Sequence, residues 1–586
     1  MQVNLSYMKI LPQHLIILLI CLLTSCSGHQ EDKSAERLVI RLEREPLRLG
    51  EIFNTTDFER QVNEYLFLSL GDYDPETLEL IPVLAKELPT GETIVDGEYN
   101  GLTKYSIELL DEAVWPNGSP ITGYDFDFTL KVVRLPNVDT RWKNVFDNIV
   151  DIQVDDQNPK RFSIISDGKY FLTRETILTA EVYPRYVYDA DEVLTNIPFD
   201  QIISDQVSND SLVLKIGQVL SSAKYTKSPA LVGSGPYELR AWEAGQFIIL
   251  NKKENWWGSK YPDRSYLHSY PQQIIFQILG DATTGITQMK NDEIDLINLT
   301  RSPFTVYDDL KNDESFSARF DFYSPSIFRV YYLLLNNEDP RLSDVNVRMA
   351  LAHAVNIDQL INQQEGGYGQ RSASFIHPSK SEYNSQLQFY EYDPGRASQL
   401  LKDAGWGDSN GDGTIDKQIS GLKYEMSLRF FISGSPLSQS IATILKESVA
   451  DLGIEIDIIT KSSSLTRSEN WRTGDFEIGA SAITQSADRT DPFSFVHSSA
   501  ITGGGINYSR ISNNKVDSLC DIIRSTQDEA ERSKAYKDLQ EVLYTDMPFI
   551  VLYAPLERMV VSKEFEPVLS PKRPGYFANS FEQVSL

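Results

Sequence analysis

The residues whose spacing most suggests chemistry are Asp408 to Asp416, which read DSNGDGTID. Asp408, Asn410, Asp412 and Asp416 fall where an EF-hand-like loop places its oxygen ligands, with Gly413 at the tight turn. The position that should carry a bidentate glutamate is Ile419, and Asp/Asn/Gly runs also occur simply as turns. A structural turn is the expectation, with calcium as the alternative. The six histidines, at 14, 29, 268, 353, 377 and 497, show neither HExxH nor zinc-like spacing. No G-x-S-x-G elbow, Walker loop or GxGxxG loop is present. Carboxylates are abundant, 83 Asp and Glu in all, but nothing selects one pair for acid/base work. The expectation is a protein without catalysis and without a cofactor. A lipid-anchored hydrolase remains a rival that substrate incubation would reveal.

The cysteines point to a compartment. Leu15 to Leu23 (LIILLICLL) is an apolar run too short to span a bilayer, which takes about 20 residues. It fits the core of a secretory signal over residues 1–25, with Lys9 as its basic region. Leu23-Thr24-Ser25-Cys26 is the pattern at which a bacterial lipoprotein signal is cut, so Cys26 is expected to carry the lipid. A lipidated cysteine with several chains gives firm anchoring. Residues 26–37 are polar and read as a flexible tether. The expected location is the cell envelope, on the periplasmic or extracellular face of a bacterial membrane. Cys520 shares a helical face with Val516, Leu519 and Ile523 and reads as a buried, inert thiol. The net charge of −28 argues against nucleic-acid binding, which needs clustered Lys and Arg.

Behind these residues stand elements of α/β type. Tyr424, Met426, Leu428 and Phe430 alternate as a half-buried strand does. Ser435 and Pro436 open a helix whose apolar face is Leu437, Ile441, Ile444, Leu445, Val449 and Leu452, and Gly453 closes it. Ile454 to Ile458 follows as a strand, so the unit predicts a parallel right-handed crossover. A second such unit runs through 274–279, 281–290 and 294–297. Further helices are expected over 344–363, from Asp393-Pro394 to Gly405, and over 529–544, with a strand at 105–109 and a tight turn at Asn117-Gly118. Two separate α/β units suggest two lobes with a cleft between them.

Leu84 to Leu88 (LAKEL), Ala113 to Phe126 (AVWPNGSPITGYDF), Gly233 to Leu239 (GSGPYEL), Leu250 to Gly258 (LNKKENWWG), Leu333 to Ile361, Tyr392 to Trp406 (YDPGRASQLLKDAGW) and Met547 to Tyr553 (MPFIVLY) occur in the order of one known family. In them the chain resembles the large bacterial solute-binding proteins of peptide and nickel ABC importers. It departs from the family's pattern at Pro89 to Gly101, which carries extra residues, and at Leu88, where the family has Trp. The resemblance implies a two-lobed α/β fold with an extra satellite domain and a hinged cleft. Lobe I would comprise 38–67, 226–325 and 549–586, the satellite 68–225 and lobe II 326–548, with hinges near Tyr323 and Pro548. It further implies a monomeric receptor that closes on a peptide and docks on permease and ATPase subunits. Alternatives are the same fold with a nickel chelate, opine or sugar as ligand, or a glycan-binding outer-membrane lipoprotein.

The resemblance places the ligand's ammonium on Asp488, within Ser486-Ala487-Asp488-Arg489-Thr490-Asp491-Pro492. A carboxylate is acceptor-only, and a charge-assisted bond is roughly twice as strong as a neutral one. Asp488 or Asp491 could equally cap the turn that follows, and Ile483-Thr484-Gln485 replaces the family's Gly-Trp pair. Gln485 is a candidate neighbour. Arg489 could neutralise Asp488 or meet a ligand carboxylate. Tyr508 stands near Gly503-Gly504-Gly505, where backbone could approach a ligand or simply form a loop, and Trp471 could stack on a ligand or lie in the core.

Overall fold

The computed structural model describes residues 37–584 except 51, 54, 55, 141, 143 and 144. The expected signal 1–25, the lipid-bearing Cys26 and the tether up to Glu36 therefore lie outside the described residues. Among the described residues no helix is long and apolar enough to cross a membrane.

Two mixed sheets organise the chain. The first has seven strands in the order Phe320–Tyr323, Met559–Ser562, Leu296–Asn298, Arg37–Leu42, Gln273–Ile278, Phe247–Lys252 and Tyr237–Glu243. The second has six, in the order Gly369–Arg371, Phe549–Pro555, Arg329–Leu335, Ile478–Thr484, Ser427–Ile432 and Glu455–Thr460. Their central strands are covered on both faces, whereas the edge strands Tyr237–Glu243 and Glu455–Thr460 expose alternate residues, and the period of two along a strand divides side chains between the faces. In Arg37–Leu42, Leu38, Ile40 and Leu42 enter one core and Val39 the other. In Arg329–Leu335, Leu333 and Leu335 face the helices Val345–Ala354, Pro394–Asp403 and Pro436–Ala450, while Tyr332 and Leu334 face Asn514–Ser525 and Glu529–Asp546.

The crossover is formed as its caps dictate. Ser435 accepts the Ser438 N–H, Gly453 takes φ +75°, and the flanking strands pair in parallel from Ser427↔Glu455 to Ile432↔Thr460. The alternation beginning at Tyr424 belongs to two strands, however. Leu422–Glu425 forms a hairpin with Asp416–Ile419, and the crossover strand starts at Ser427. The upstream unit encloses a visitor: Arg37–Leu42 inserts between Gln273–Ile278 and Leu296–Asn298, parallel to both. The helix expected over 344–363 is two, Val345–Ala354 and Ile357–Glu365. Val355 is extended, and the Asn356 side chain caps a fresh start by accepting the Gln359 N–H.

A four-stranded sheet, Gly91–Thr93, Thr103–Glu108, Arg161–Ser166 and Ile149–Val154, forms the satellite. Its core is continuous with lobe I: Phe126, Leu130 and Ile164 share one apolar cluster with Leu38, Tyr237 and Phe276. The chain passes from the first sheet to the second between Phe320–Tyr323 and Arg329–Leu335. It crosses back later than Pro548, because Phe549–Pro555 pairs with Arg329–Leu335 inside the second sheet and only Met559–Ser562 joins the first. The return crossing is therefore Leu556 to Arg558. Cys520 is fully buried, and burial pushes its thiol pKa well up.

Candidate functional site

A cavity of about 450 Å³ lies where the lobes and satellite meet, within the roughly 300–1,000 Å³ of small-molecule sites. Lobe I supplies Arg60, Glu64, Phe67 and the segment Pro571-Lys572-Arg573; the satellite supplies Asp72, Tyr73, Tyr170 and Leu172. Lobe II supplies Phe328 and the segment Thr484 to Asp488.

The lobe I wall depends on two glycines. A Cβ on Gly233 or Gly235 would collide with the Leu66 and Tyr65 carbonyls, and Ser234 accepts the Leu68 N–H at 2.7 Å. The GSGPYEL segment thus clamps the stretch that carries Phe67 to Tyr73 into the cleft. The lobe II wall continues strand Ile478–Thr484, whose carboxyl end runs beside Arg329 at the first crossing. This is where open α/β sheets place ligands. The Gln485 N–H bonds the Phe328 carbonyl, while its side chain donates to Phe375 O (2.6 Å) and accepts the His377 N–H (3.1 Å). Its amide is thereby spent on positioning the wall.

Asp488 stands on this wall, half-buried. The Ser486 hydroxyl donates to its carboxylate, and the Lys380 ammonium bonds its backbone carbonyl. Lys380 is paired with buried Glu382 at 3.4 Å, and Glu382 also accepts the Thr490 N–H. The turn is therefore held from beneath by an ion pair that is already neutral. Among the described residues no cation lies within ion-pair distance of the Asp488 carboxylate. Burial pushes its pKa above the usual aspartate value, opposed by Ser486 and Lys380. Burial, and then the Asp488 charge, push the Tyr73 phenol up as well.

The other expected residues lie elsewhere. Arg489 turns to the lobe II surface and pairs with Glu529. Trp471 and Tyr508 pack against each other, ring centroids 5.6 Å apart, within the apolar cluster behind the sheet, and line no part of the cavity. Gly503 and Gly505 press on their own turn at Ser499 and Ala500. Asp491 accepts the Phe493 N–H, a capping role, and pairs with Arg524 at 3.1 Å. In the loop 408–416, Asp408 accepts the N–H groups of Gly411 and Gly413, and Asp416 is held by Ser409 and Lys423. Its carboxylates serve the turn, and no cluster able to hold a metal occurs among the described residues.

Several cavity residues carried no motif in the sequence: Arg60, Asp72, Tyr73, Tyr170, Lys572 and Arg573. The nearest signal was the concentration of charges and tyrosines in ERQVNEYLFLSLGDY and in SPKRPGY. Lys572 is fully committed. Its ammonium bonds both Asp72 oxygens at 3.0 Å, Tyr266 at 2.5 Å and lies 3.6 Å from Glu64. Burial works against the charge, but Asp72, Tyr266 and Glu64 outweigh it and hold the pKa well above that of an ordinary lysine.

Residues 79–505 match the family model described as the middle region of bacterial extracellular solute-binding proteins, family 5. The chain belongs to this family. It is 23% identical over 577 residues to the oligopeptide-binding protein AppA of Bacillus subtilis strain 168, covering 96% of each chain. The solved structure of that AppA with a nonapeptide superposes with a TM-score of 0.68 at 21% identity, over 94% of this chain and 99% of the other. NikZ from Campylobacter jejuni in complex with Ni(L-His) gives 0.68 at 22% identity, over 93% and 99%. The fold is that of two-lobed solute-binding proteins, and the relatives are binding proteins rather than enzymes.

Proposed function

We propose that this protein is the lipid-anchored receptor of an ABC importer, taking peptides into the interlobe cleft and fixing their α-ammonium on Asp488. One observation carries the reading: an unpaired, half-buried carboxylate on the wall of an interlobe cavity whose lysine is already committed. In such a setting the attraction for an ammonium exceeds its value in water. The names of relatives that bind oligopeptides support the ligand class. A ligand touching both lobes favours the closed state by its differential affinity, and closure presents one surface to the permease. Cys26 would tether the receptor beside that permease.

Thermal unfolding of the detergent-extracted chain against free-amine peptides, N-acetylated peptides, sugars and nickel chelates tests this. A ligand at 100 times its Kd adds about 2.7 kcal/mol. Stabilisation by free-amine peptides, lost on N-acetylation and weakened at least tenfold in Asp488→Asn, is expected; a charged hydrogen bond contributes about 1.5–3 kcal/mol. Stabilisation by sugars or chelates alone would overturn the peptide assignment.

A further inference from the structure

The Asp488 carboxylate keeps its charge for a ligand but has few hydrogen-bond acceptors around it. The Ser486 hydroxyl donates to Oδ1, which leaves Oδ2 as the open oxygen. The side-chain acceptors nearby already take a donor each. The Gln485 amide oxygen accepts the His377 N–H, and the Thr484 hydroxyl accepts Arg329 Nε. Asp491 accepts the Phe493 N–H and pairs with Arg524. A primary ammonium brings three N–H donors, and donors left unmet in a partly dry site are costly.

What surrounds the carboxylate instead is aromatic. Tyr73 and Tyr170 from the satellite and Phe328 from lobe II line the same cavity. The Tyr170 hydroxyl donates to Asp491 Oδ2 at 3.3 Å, in the segment that carries Asp488, and Arg524 stands 5.3 Å from the Tyr170 ring centroid. Lys380, whose ammonium bonds the Asp488 carbonyl, lies 5.5 Å from the Phe328 ring centroid. Neither Arg524 nor Lys380 lines the cavity, so each holds its ring from behind. Burial first, and the Asp488 charge among the further causes, push both the Tyr73 and Tyr170 phenols up. The satellite rings therefore stand close enough to feel that carboxylate. Aromatic faces attract a cation without needing an N–H, and more strongly once water is excluded. Replacing N–H by N–CH3 removes donors that this wall cannot meet. It adds apolar surface against the rings and leaves the charge for Asp488.

We propose that Asp488, Tyr73, Tyr170 and Phe328 form a carboxylate-and-ring box that accepts N-alkylated ammonium groups, up to the quaternary, in place of a primary one. The ligand class then extends from free-amine peptides to tertiary and quaternary ammonium compounds. The inference deepens the ammonium reading of Asp488 and rests on it. Because the rings come from the satellite and from lobe II, a cation seated among them draws those two walls together.

Equilibrium dialysis of the detergent-extracted chain tests this, with bound species quantified by mass spectrometry. The probe is one lysine-free random mixture of dipeptides to hexapeptides, prepared with free, dimethylated, trimethylated and acetylated amino termini. Wild type, Tyr73→Leu, Tyr73→Phe and Asp488→Asn are compared, each first checked for folding by its melting temperature. In the wild type the dimethyl and trimethyl forms should bind within about threefold of the free amine, and the uncharged acetyl form at least about tenfold more weakly. Tyr73→Leu should weaken trimethyl binding by about tenfold and free-amine binding by less, because the free amine keeps its hydrogen bond to Asp488. Tyr73→Phe, which keeps the ring, should recover most of that loss, and Asp488→Asn should weaken every charged form. Free amines binding while trimethyl forms are lost as completely as acetyl forms would overturn the box and leave the Asp488 reading intact. Trimethyl binding that Tyr73→Leu leaves unchanged would do the same. Acetyl forms binding as well as free amines, or failure of every form to bind, would overturn both.

Discussion

The return crossing between lobes is guarded by a buried ion pair, and its removal has a calculable cost. Arg558 closes the Leu556 to Arg558 crossing, and its Nη1 donates to Glu365 at 2.8 Å; the two side chains are 2% and 8% exposed. Glu365 also accepts the Tyr553 hydroxyl at 2.9 Å, and Arg558 Nη2 donates to the Thr300 carbonyl at 2.6 Å. At such burial the solvent screening that makes surface pairs nearly worthless does not apply. Removing one partner of a buried pair typically costs about 3–5 kcal/mol, because the other charge is left unneutralised. Glu365→Gln keeps the shape and one acceptor, and Arg558 keeps its carbonyl partners, so the low end, about 3 kcal/mol, applies. At about 2–4 °C per kcal/mol for a unit of 150–250 residues, the lobe II transition should fall by roughly 6–12 °C in scanning calorimetry. The double variant Glu365→Gln/Arg558→Met removes the orphaned charge and should recover much of that loss. A wild-type melting temperature for Glu365→Gln, or purely additive losses in the double variant, would refute the assignment.

Acid should destabilise the protein through His377. This fully buried imidazole contacts the Ser326 hydroxyl at the first crossing. Burial, then Lys380, push its pKa down to about 4. A depressed histidine pKa means the unfolded chain binds the proton first. Its contribution, up to about 3 kcal/mol, is therefore complete above the unfolded value near 6.5 and is lost as pH falls toward about 4. Melting temperatures across that window should flatten in His377→Gln, and an unchanged slope would exclude this residue. Phe171 tests the contact between satellite and lobe II. Its N–H bonds the Arg524 carbonyl at 3.0 Å, and Arg532 lies 5.1 Å over its ring. Phe171→Ala should favour the open form, weakening all ligands by the same few-fold factor and enlarging the unliganded chain in X-ray scattering. A loss confined to one ligand would make Phe171 a ligand contact instead.

Much of the architecture was legible from local chemistry. Ser435, Pro436 and Gly453 act within one turn of their own helix, and the alternation at Leu428 and Phe430 reports a sheet face directly. Legibility failed where two local solutions compete. Asn356 restarts a helix that apolar periodicity alone would continue, and Tyr424 alternates in phase with a strand it does not join. Phe549–Pro555 reads as a strand from either side of the crossing, and only its pairing with Arg329–Leu335 assigns it to lobe II.

At the cleft, the order of family segments pointed to the 485–488 turn, and Asp488 and Gln485 stand on the cavity wall. Arg489, Trp471 and Tyr508 are close to that turn in sequence or type, yet a one-residue step along an irregular segment sends Arg489 to Glu529, and burial behind the sheet consumes the two aromatics. What the sequence determined by itself were the properties that neighbours along the chain can decide: an acidic balance of charge, α/β elements with their caps, and membership of a two-lobed family. The tertiary structure alone decided which charges meet. Arg60, Arg329 and Arg573 are separated by hundreds of residues and share Asp57 only because two sheets and two crossings bring them to one cleft. Lys572 and Asp488, unremarkable by type, differ there because one is surrounded by counter-charges and the other is not.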